Sequence, residues 1–134
     1  MAKIRRLIFE INKLHKNYGS YSALKLKKLD IHPGTIYGVV GTIGSGKTTL
    51  LNLLAGIHLP DKGQINLGDF HLCNMSDAER RNFRISQIGM VFQQFELVDY
   101  LTTMENILLP FAINQSLQQS AEIREYADSL AEQM

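Results

Sequence analysis

The chain has 134 residues, of which 45% are hydrophobic and 20% charged, a composition that excludes disorder throughout and is typical of one globular domain. Its 14 Lys and Arg residues nearly balance its 13 Asp and Glu residues. No apolar run approaches the roughly 20 residues that a membrane-spanning helix needs. We expect no secretory signal, because only a few apolar residues follow the basic start. The single cysteine excludes an internal disulfide framework and fits a reducing compartment.

The positive charge is concentrated at the start of the chain. Residues 1–30 carry eight Lys and Arg but only two carboxylates. Such an arm could bind nucleic acid or anionic lipid. The alternation of leucine and lysine over Leu24–Lys27 instead favours the solvent face of a half-buried strand. We therefore expect no nucleic-acid partner.

The first half of the chain predicts strands followed by a helix. Two strands, Leu7–Lys16 and Leu24–Ile31, are expected on either side of a turn at 17–20. The apolar, β-branched run Thr35–Val40 suits a strand covered on both faces. A glycine-rich segment follows it, and the leucine-rich run Lys47–Ala55 is predicted as a helix.

The middle of the chain predicts two short strands and a helix between them. The strands are Gln64–Leu67 and Ile88–Phe92. Ser76 and Glu79 have the spacing of a capping box, which predicts a helix over Asp77–Phe83.

The last forty residues predict two helices. The first, Thr103–Leu109, is expected to end before Pro110. The second is expected to be capped by Ser116 with Gln119. Its apolar residues recur at helical spacing and predict a packing face made of Ile123, Tyr126, Ala127 and Leu130.

One segment carries the chemistry. Residues Gly41–Thr48 match the pattern G-x-x-x-x-G-K-[ST], between a predicted strand and a predicted helix. The glycines allow successive N–H groups to surround a phosphate, and the helix directs its positive end at the same anion. Lys47 can reach the β- and γ-phosphates, and the Thr48 hydroxyl can coordinate Mg²⁺. The expected phosphate-binding residues are Gly41, Thr42, Ile43, Gly44, Ser45, Gly46, Lys47, Thr48 and Thr49. The alternative is a glycine-rich turn that binds no ligand.

Several runs together resemble the ATP-binding subunits of ABC transporters, in particular those of the bacterial lipoprotein-releasing and macrolide-export type. The runs are Thr42–Gly56, Pro60–Ile65, Ile88–Leu97 and Leu101–Ile107. The resemblance extends from Ile8 to about Ile113 and keeps the family's order and spacing.

The resemblance implies further roles. Tyr18 corresponds to the aromatic residue that stacks on adenine. Gln93 corresponds to the Q-loop glutamine, which reaches Mg²⁺ or the attacking water, and Thr49 to a residue that contacts an α-phosphate oxygen. The stretch Phe92–Tyr100 would face a transmembrane subunit, whereas its apolar residues could equally form local core. A second nucleotide-binding subunit and a location at the cytoplasmic face of the cell membrane are implied as well.

The expected fold is α/β of the ABC-type P-loop class, with an N-terminal antiparallel β layer, an incomplete core sheet and the start of a helical subdomain. Residues 1–134 are expected to form the N-terminal portion of one nucleotide-binding domain, with the P-loop part over about 1–95 and the helical part over about 96–134.

The family's signature motif, Walker B segment and switch histidine do not occur in this sequence. We therefore expect negligible ATP hydrolysis by the chain alone and interpret it as part of a longer protein or as a truncated product. Two alternatives remain open, namely a regulatory module that binds nucleotide without turnover and an interaction protein with a vestigial loop.

Overall fold

The structure is a computed structural model that describes residues 9–92, 94, 96–114, 117 and 120–133. Its contacts divide the chain into two units, which meet in sequence between Ile88 and Gly89. The elements in chain order are β1 (Phe9–Tyr18), β2 (Tyr21–Ile31), α1 (Lys47–Leu54), β3 (Lys62–Leu67), β4 (Phe70–His71), a 3₁₀ turn (Leu72–Asn74), α2 (Asp77–Gln87), α3 (Thr103–Ile113) and α4 (Ala121–Glu132).

The first unit contains a four-stranded antiparallel sheet of order β2-β1-β3-β4. β1 and β2 form a hairpin whose last pair, Tyr18 with Tyr21, flanks the two-residue turn Gly19-Ser20. Gly19 has φ +60°, a conformation that two-residue hairpin turns require and glycine adopts without strain. The predicted antiparallel β layer is therefore confirmed, with strand ends that shift by a few residues.

A bulge sets which side chains of β1 reach the core. Ile11 and Leu14 are both fully buried although they lie three positions apart, which strict alternation does not allow. The pairing of β1 with β3 shifts between Asn12 and His15, and Lys13 adopts φ +49° there. The extra residue returns Leu14 to the inner face.

The core lies between the sheet and the helices of the first unit. Leu53 of α1 and Phe83 of α2 are buried with strand residues and with Leu72 of the 3₁₀ turn. Truncating a buried leucine of this kind typically costs about 2–5 kcal/mol. This packing holds α1, and with it the glycine-rich loop, against the β layer.

Two predicted strands are wrong in this structure. Thr35–Val40 and Ile88–Phe92 are described but have no strand conformation, and no described residue pairs with either. A strand is stable only when neighbouring strands take up its N–H and C=O groups and a layer covers its apolar face. Here Ile36 is 100% exposed and Val91 is 95% exposed, so apolar β-branched composition alone did not produce a strand.

The starts of α2 and α3 were predicted correctly, whereas their ends were placed too early. The Ser76–Glu79 capping box is present, but α2 continues beyond Phe83 to Gln87. The prediction that the next helix ends at Pro110 is wrong, because α3 continues to Ile113. Proline removes one intrahelical hydrogen bond, but helical bonding resumes after it, since the Asn114 N–H donates to the Pro110 carbonyl at 3.2 Å.

The second unit contains α3 and α4, which contact each other. The predicted cap at Ser116 and Gln119 lies outside the described residues. The described helix begins at Ala121, where the Ser120 hydroxyl accepts from the Ile123 N–H. Of the predicted packing face of α4, Ala127 is buried whereas Tyr126 is 67% exposed.

No helix in the described ranges has the length and apolarity required to span a membrane.

Candidate functional site

The glycine-rich loop ends where α1 begins, and this helix start carries no side-chain cap. Its N-cap is Gly46, and its first turn contains no acidic residue. The starts of α2, α3 and α4 are instead capped by the hydroxyls of Ser76, Thr102 and Ser120. The first N–H groups of α1 are therefore not taken up by a capping side chain. Such groups, at the positive end of the helix dipole, attract anions.

Two features of the structure require glycine at position 46. Its φ is +89°, in the left-handed region that residues with a Cβ rarely adopt. A Cβ built at this position would lie 2.4 Å from the Ala23 carbonyl oxygen. The loop thus passes directly against the backbone of β2, and this close approach fixes where the helix starts.

Lys47 ties the two ends of the loop together. Its Nζ donates to the carbonyl oxygens of Gly41 at 2.9 Å and Thr42 at 2.6 Å, and it lies 3.3 Å from the Ser45 Oγ. An ammonium group has three donors and accepts nothing, so these contacts use its full capacity. A phosphate oxygen would compete for the same donors and would gain a charge-assisted hydrogen bond.

A cavity of about 210 Å³ extends from the loop to the turn of the β1–β2 hairpin. Two tyrosines on either side of that turn contribute to its wall, together with the second half of the loop. The lining residues are Tyr18, Tyr21, Ala23, Gly44, Ser45, Gly46, Lys47, Thr48 and Thr49. The cavity therefore combines backbone donors, a cation, hydroxyls and aromatic rings.

Tyr18 is 47% exposed, and two neighbouring side chains contact its ring. The Lys16 ammonium lies 5.6 Å from the ring centroid, within the range of a cation–π contact. The His58 ring meets Tyr18 edge to face with centroids 6.2 Å apart.

Asp61 anchors the strand end that carries Tyr18. Its carboxylate accepts from the Asn17 N–H at 2.6 Å and from the Lys16 ammonium at 3.2 Å, and its own N–H donates to the His15 carbonyl at 2.9 Å. The hydrogen bond from the Asn17 N–H, and then that from Lys16, hold the pKa of Asp61 below its ordinary value.

The structure brings most of the predicted site residues together. Gly44–Thr49 and Tyr18 line one cavity, while Gly41 and Thr42 face Lys47 through their carbonyl oxygens. Ile43 is fully exposed and does not line the cavity. Gln93, the predicted Q-loop glutamine, lies outside the described residues. The roles of all these residues in binding nucleotide stay predictions.

Sequence reasoning missed Tyr21. The hydroxyl of this tyrosine donates to the Gly44 carbonyl at 2.8 Å, and its ring lines the cavity. A signal was available, because a two-residue hairpin turn at Gly19-Ser20 places residues 18 and 21 directly opposite each other.

Magnesium fits this donor set when a phosphate contributes to it. In the part of the chain that the structure describes, no group of three or more His, Cys, Asp or Glu residues could hold a metal ion. Mg²⁺ is usually bound by one or two protein oxygens together with phosphate oxygens and water. The Thr48 hydroxyl at the cavity wall can supply one such oxygen.

A second feature lies in the other unit, before α3. Leu97 and Tyr100 are 65% and 89% exposed, and Phe92 is 42% exposed, so these residues do not form local core. Phe95 lies outside the described residues. The Asn106 side chain accepts from the Val98 N–H at 2.8 Å and donates to three carbonyls, including that of Val98. Leu97 and Tyr100 thus lie next to backbone groups that Asn106 holds by hydrogen bonds.

The fold and the loop at the start of α1 define the class of the protein, which is a P-loop NTPase. The model of the ABC transporter family matches residues 24–134, and the chain belongs to this family.

The chain is similar to an uncharacterised ABC transporter ATP-binding protein of Bacillus subtilis, YvcR, with 43% identity over 83% of this chain and 44% of that protein. It is 38% identical to the lipoprotein-releasing system ATP-binding protein LolD of Bacteroides fragilis over 71% of this chain and 44% of that protein. The predicted resemblance is thereby confirmed. The chain spans about half the length of the curated relatives it matches.

The same fold occurs in a solved structure, the ATP-binding cassette MJ0796 in a dimeric post-hydrolysis state bound to ADP and Pi. The match has a TM-score of 0.78 and 30% identity, and it covers 90% of this chain and 54% of that one. The predicted ABC-type P-loop fold is therefore confirmed.

Proposed function

We propose that the chain is an ATP-binding part of an ABC transporter, which binds Mg·ATP through Gly41–Thr49 to power transport. The observation that carries the proposal is the single cavity joining the uncapped start of α1 to the tyrosines of the β1–β2 turn. One end of this cavity suits a polyphosphate and the other suits a flat base.

At the end of the cavity formed by the glycine-rich loop, phosphate binding exchanges one set of hydrogen bonds for another. The Lys47 ammonium leaves one or more of its loop carbonyl partners and donates to the β- and γ-phosphates, while the first N–H groups of α1 donate to the same anion. Thr48 and Gln93 would hold Mg²⁺, and Thr49 would contact an α-phosphate oxygen. The metal neutralises phosphate charge when bound.

The base end depends on Tyr18. Its half-exposed ring offers a flat apolar face on which adenine stacks. Lys16 and His58 fix the orientation of that ring, so little side-chain freedom is lost on binding.

The partners follow from the exposed loop of the second unit. Phe92–Tyr100 contacts a transmembrane transporter subunit, because exposed apolar side chains such as those of Leu97 and Tyr100 are typical of interaction surfaces. A second nucleotide-binding subunit completes the assembly, as the dimeric state of MJ0796 suggests. The protein then works at the cytoplasmic face of the cell membrane as the N-terminal portion of one nucleotide-binding domain, with the P-loop part over about 1–95 and the helical part over about 96–134.

Calorimetric titration with Mg·ATP tests the proposal. Lys47→Ala removes a charge-assisted contact and is expected to weaken binding by about tenfold to a hundredfold. Lys27→Ala, at an exposed position on β2, removes the same charge away from the loop and should leave the affinity nearly unchanged. Equal affinities of the wild type and the Lys47→Ala variant would contradict the phosphate assignment.

A further inference from the structure

The Tyr21 hydroxyl connects the hairpin to the glycine-rich loop. Tyr21 is the first residue of β2, and its Oη donates to the carbonyl oxygen of Gly44 at 2.8 Å, across 23 positions of sequence. Tyr21 is 56% exposed, so it contributes little to the core. The contact is therefore directed at the loop backbone.

This hydrogen bond fixes the orientation of one peptide group. In a trans peptide the C=O and the N–H point in opposite directions, so a Gly44 carbonyl held towards Tyr21 turns the Ser45 N–H away from it. The Ser45 N–H indeed points across the loop and donates to the Thr42 carbonyl at 3.2 Å. Gly44 has φ +78° and no Cβ, so its backbone has little intrinsic preference that would hold this orientation alone.

We propose that Tyr21 is a positioning residue for polyphosphate binding, whose hydroxyl holds the Gly44–Ser45 peptide with its N–H directed into the loop. This inference rests on the proposed function. Without the hydroxyl, the Gly44–Ser45 peptide samples other orientations. Conformational entropy is then lost when the ligand orders this peptide, and the affinity falls. The role belongs to the hydroxyl and not to the ring.

The experiment compares Tyr21→Phe, which keeps the ring, with the wild type in titrations with Mg·ATP and with inorganic tripolyphosphate. Tripolyphosphate has no base, so it reports on the loop alone. We expect the variant to bind both ligands about threefold to tenfold more weakly, by the same factor, with an unchanged unfolding midpoint without ligand. The control Tyr126→Phe removes a hydroxyl from an exposed position on α4 and should change neither affinity.

Each other outcome overturns the inference. Wild-type affinity of Tyr21→Phe for both ligands would show that the hydroxyl has no role in binding. A loss of affinity for Mg·ATP alone would show that the hydroxyl acts on the nucleoside part of the ligand and not on the phosphates. A lowered unfolding midpoint of the variant would indicate general destabilisation. If Lys47→Ala weakens binding while Tyr21→Phe does not, only this inference fails. If the wild type binds neither ligand, the proposed function fails with it.

Discussion

At the scale of single residues, the loop is defined by positions that admit only glycine and by one lysine that spans it. Gly46 combines a left-handed backbone with contact to the Ala23 carbonyl, and Lys47 joins Gly41 to Thr42 and Ser45. The start of α1 is thus fixed before a ligand binds, whereas the Lys47 contacts are exchanged on binding. A preorganised loop loses little conformational entropy when an anion binds.

Replacing Gly46 by alanine should destabilise the fold. The left-handed backbone and the 2.4 Å approach of a Cβ to the Ala23 oxygen together should lower the free energy of unfolding by about 2 kcal/mol or more. Urea unfolding followed by circular dichroism measures this change. Gly38→Ala is the matched control, because a Cβ there meets nothing within 4 Å. A Gly46→Ala variant as stable as the Gly38→Ala variant would contradict the account of the loop.

The residues of the loop were predictable from sequence because the motif encodes chemistry at fixed spacing. Gly44, Gly46 and Lys47 line one cavity, and their role in binding phosphate stays a prediction. The hairpin turn could have placed Tyr21 opposite Tyr18, but the hydrogen bond of Tyr21 to Gly44 joins residues far apart in sequence. Long-range contacts of this kind leave no local signature.

At the scale of secondary-structure elements, the β1–β2 hairpin carries the tyrosines and Asp61 holds one of its ends. The Asp61 carboxylate bridges to Asn17 and Lys16 from the turn that precedes β3. This bridge fixes the position of Tyr18 relative to the loop.

The bridge predicts a pH dependence of stability. Because the folded state lowers the pKa of Asp61 below 3.8, the ionised carboxylate favours folding above that value. The contribution is lost as the pH falls through the lowered pKa. The urea midpoint of the wild type should exceed that of Asp61→Asn at about pH 6, and the difference should shrink towards about pH 3.

The control for this prediction is Asp128→Asn, at an exposed position on α4. A difference between the wild type and Asp61→Asn that stays constant over the same pH range would contradict the assigned role of the carboxylate.

Elements with local signals were predicted more reliably than elements that need partners. The capping box at Ser76 and the alternation in β2 act within a few residues, and both are found in the structure. The strand prediction at Thr35–Val40 failed because strand conformation depends on neighbours, and none of the described residues pairs with that run. α3 continues through Pro110 because the following N–H groups still find carbonyl partners.

At the scale of the whole molecule, family membership establishes the class of the protein, and the geometry of the site indicates where a ligand can bind. The family match over residues 24–134 establishes the ABC class. The structure adds how this chain arranges its own residues, with a lysine-closed loop, an uncapped helix start and two tyrosines around one cavity. We propose that this cavity binds Mg·ATP with its phosphates at Gly41–Thr49.

The most direct test of that claim is a titration of the isotopically labelled chain with Mg·ATP, followed by the NMR chemical shift of each backbone amide. We expect the largest shift changes on the amides of Gly41–Thr49, with accompanying changes in the ring signals of Tyr18. Exposed positions on β2 such as Lys27 should change little. Shift changes that leave Gly41–Thr49 unaffected, or that concentrate elsewhere in the chain, would contradict it.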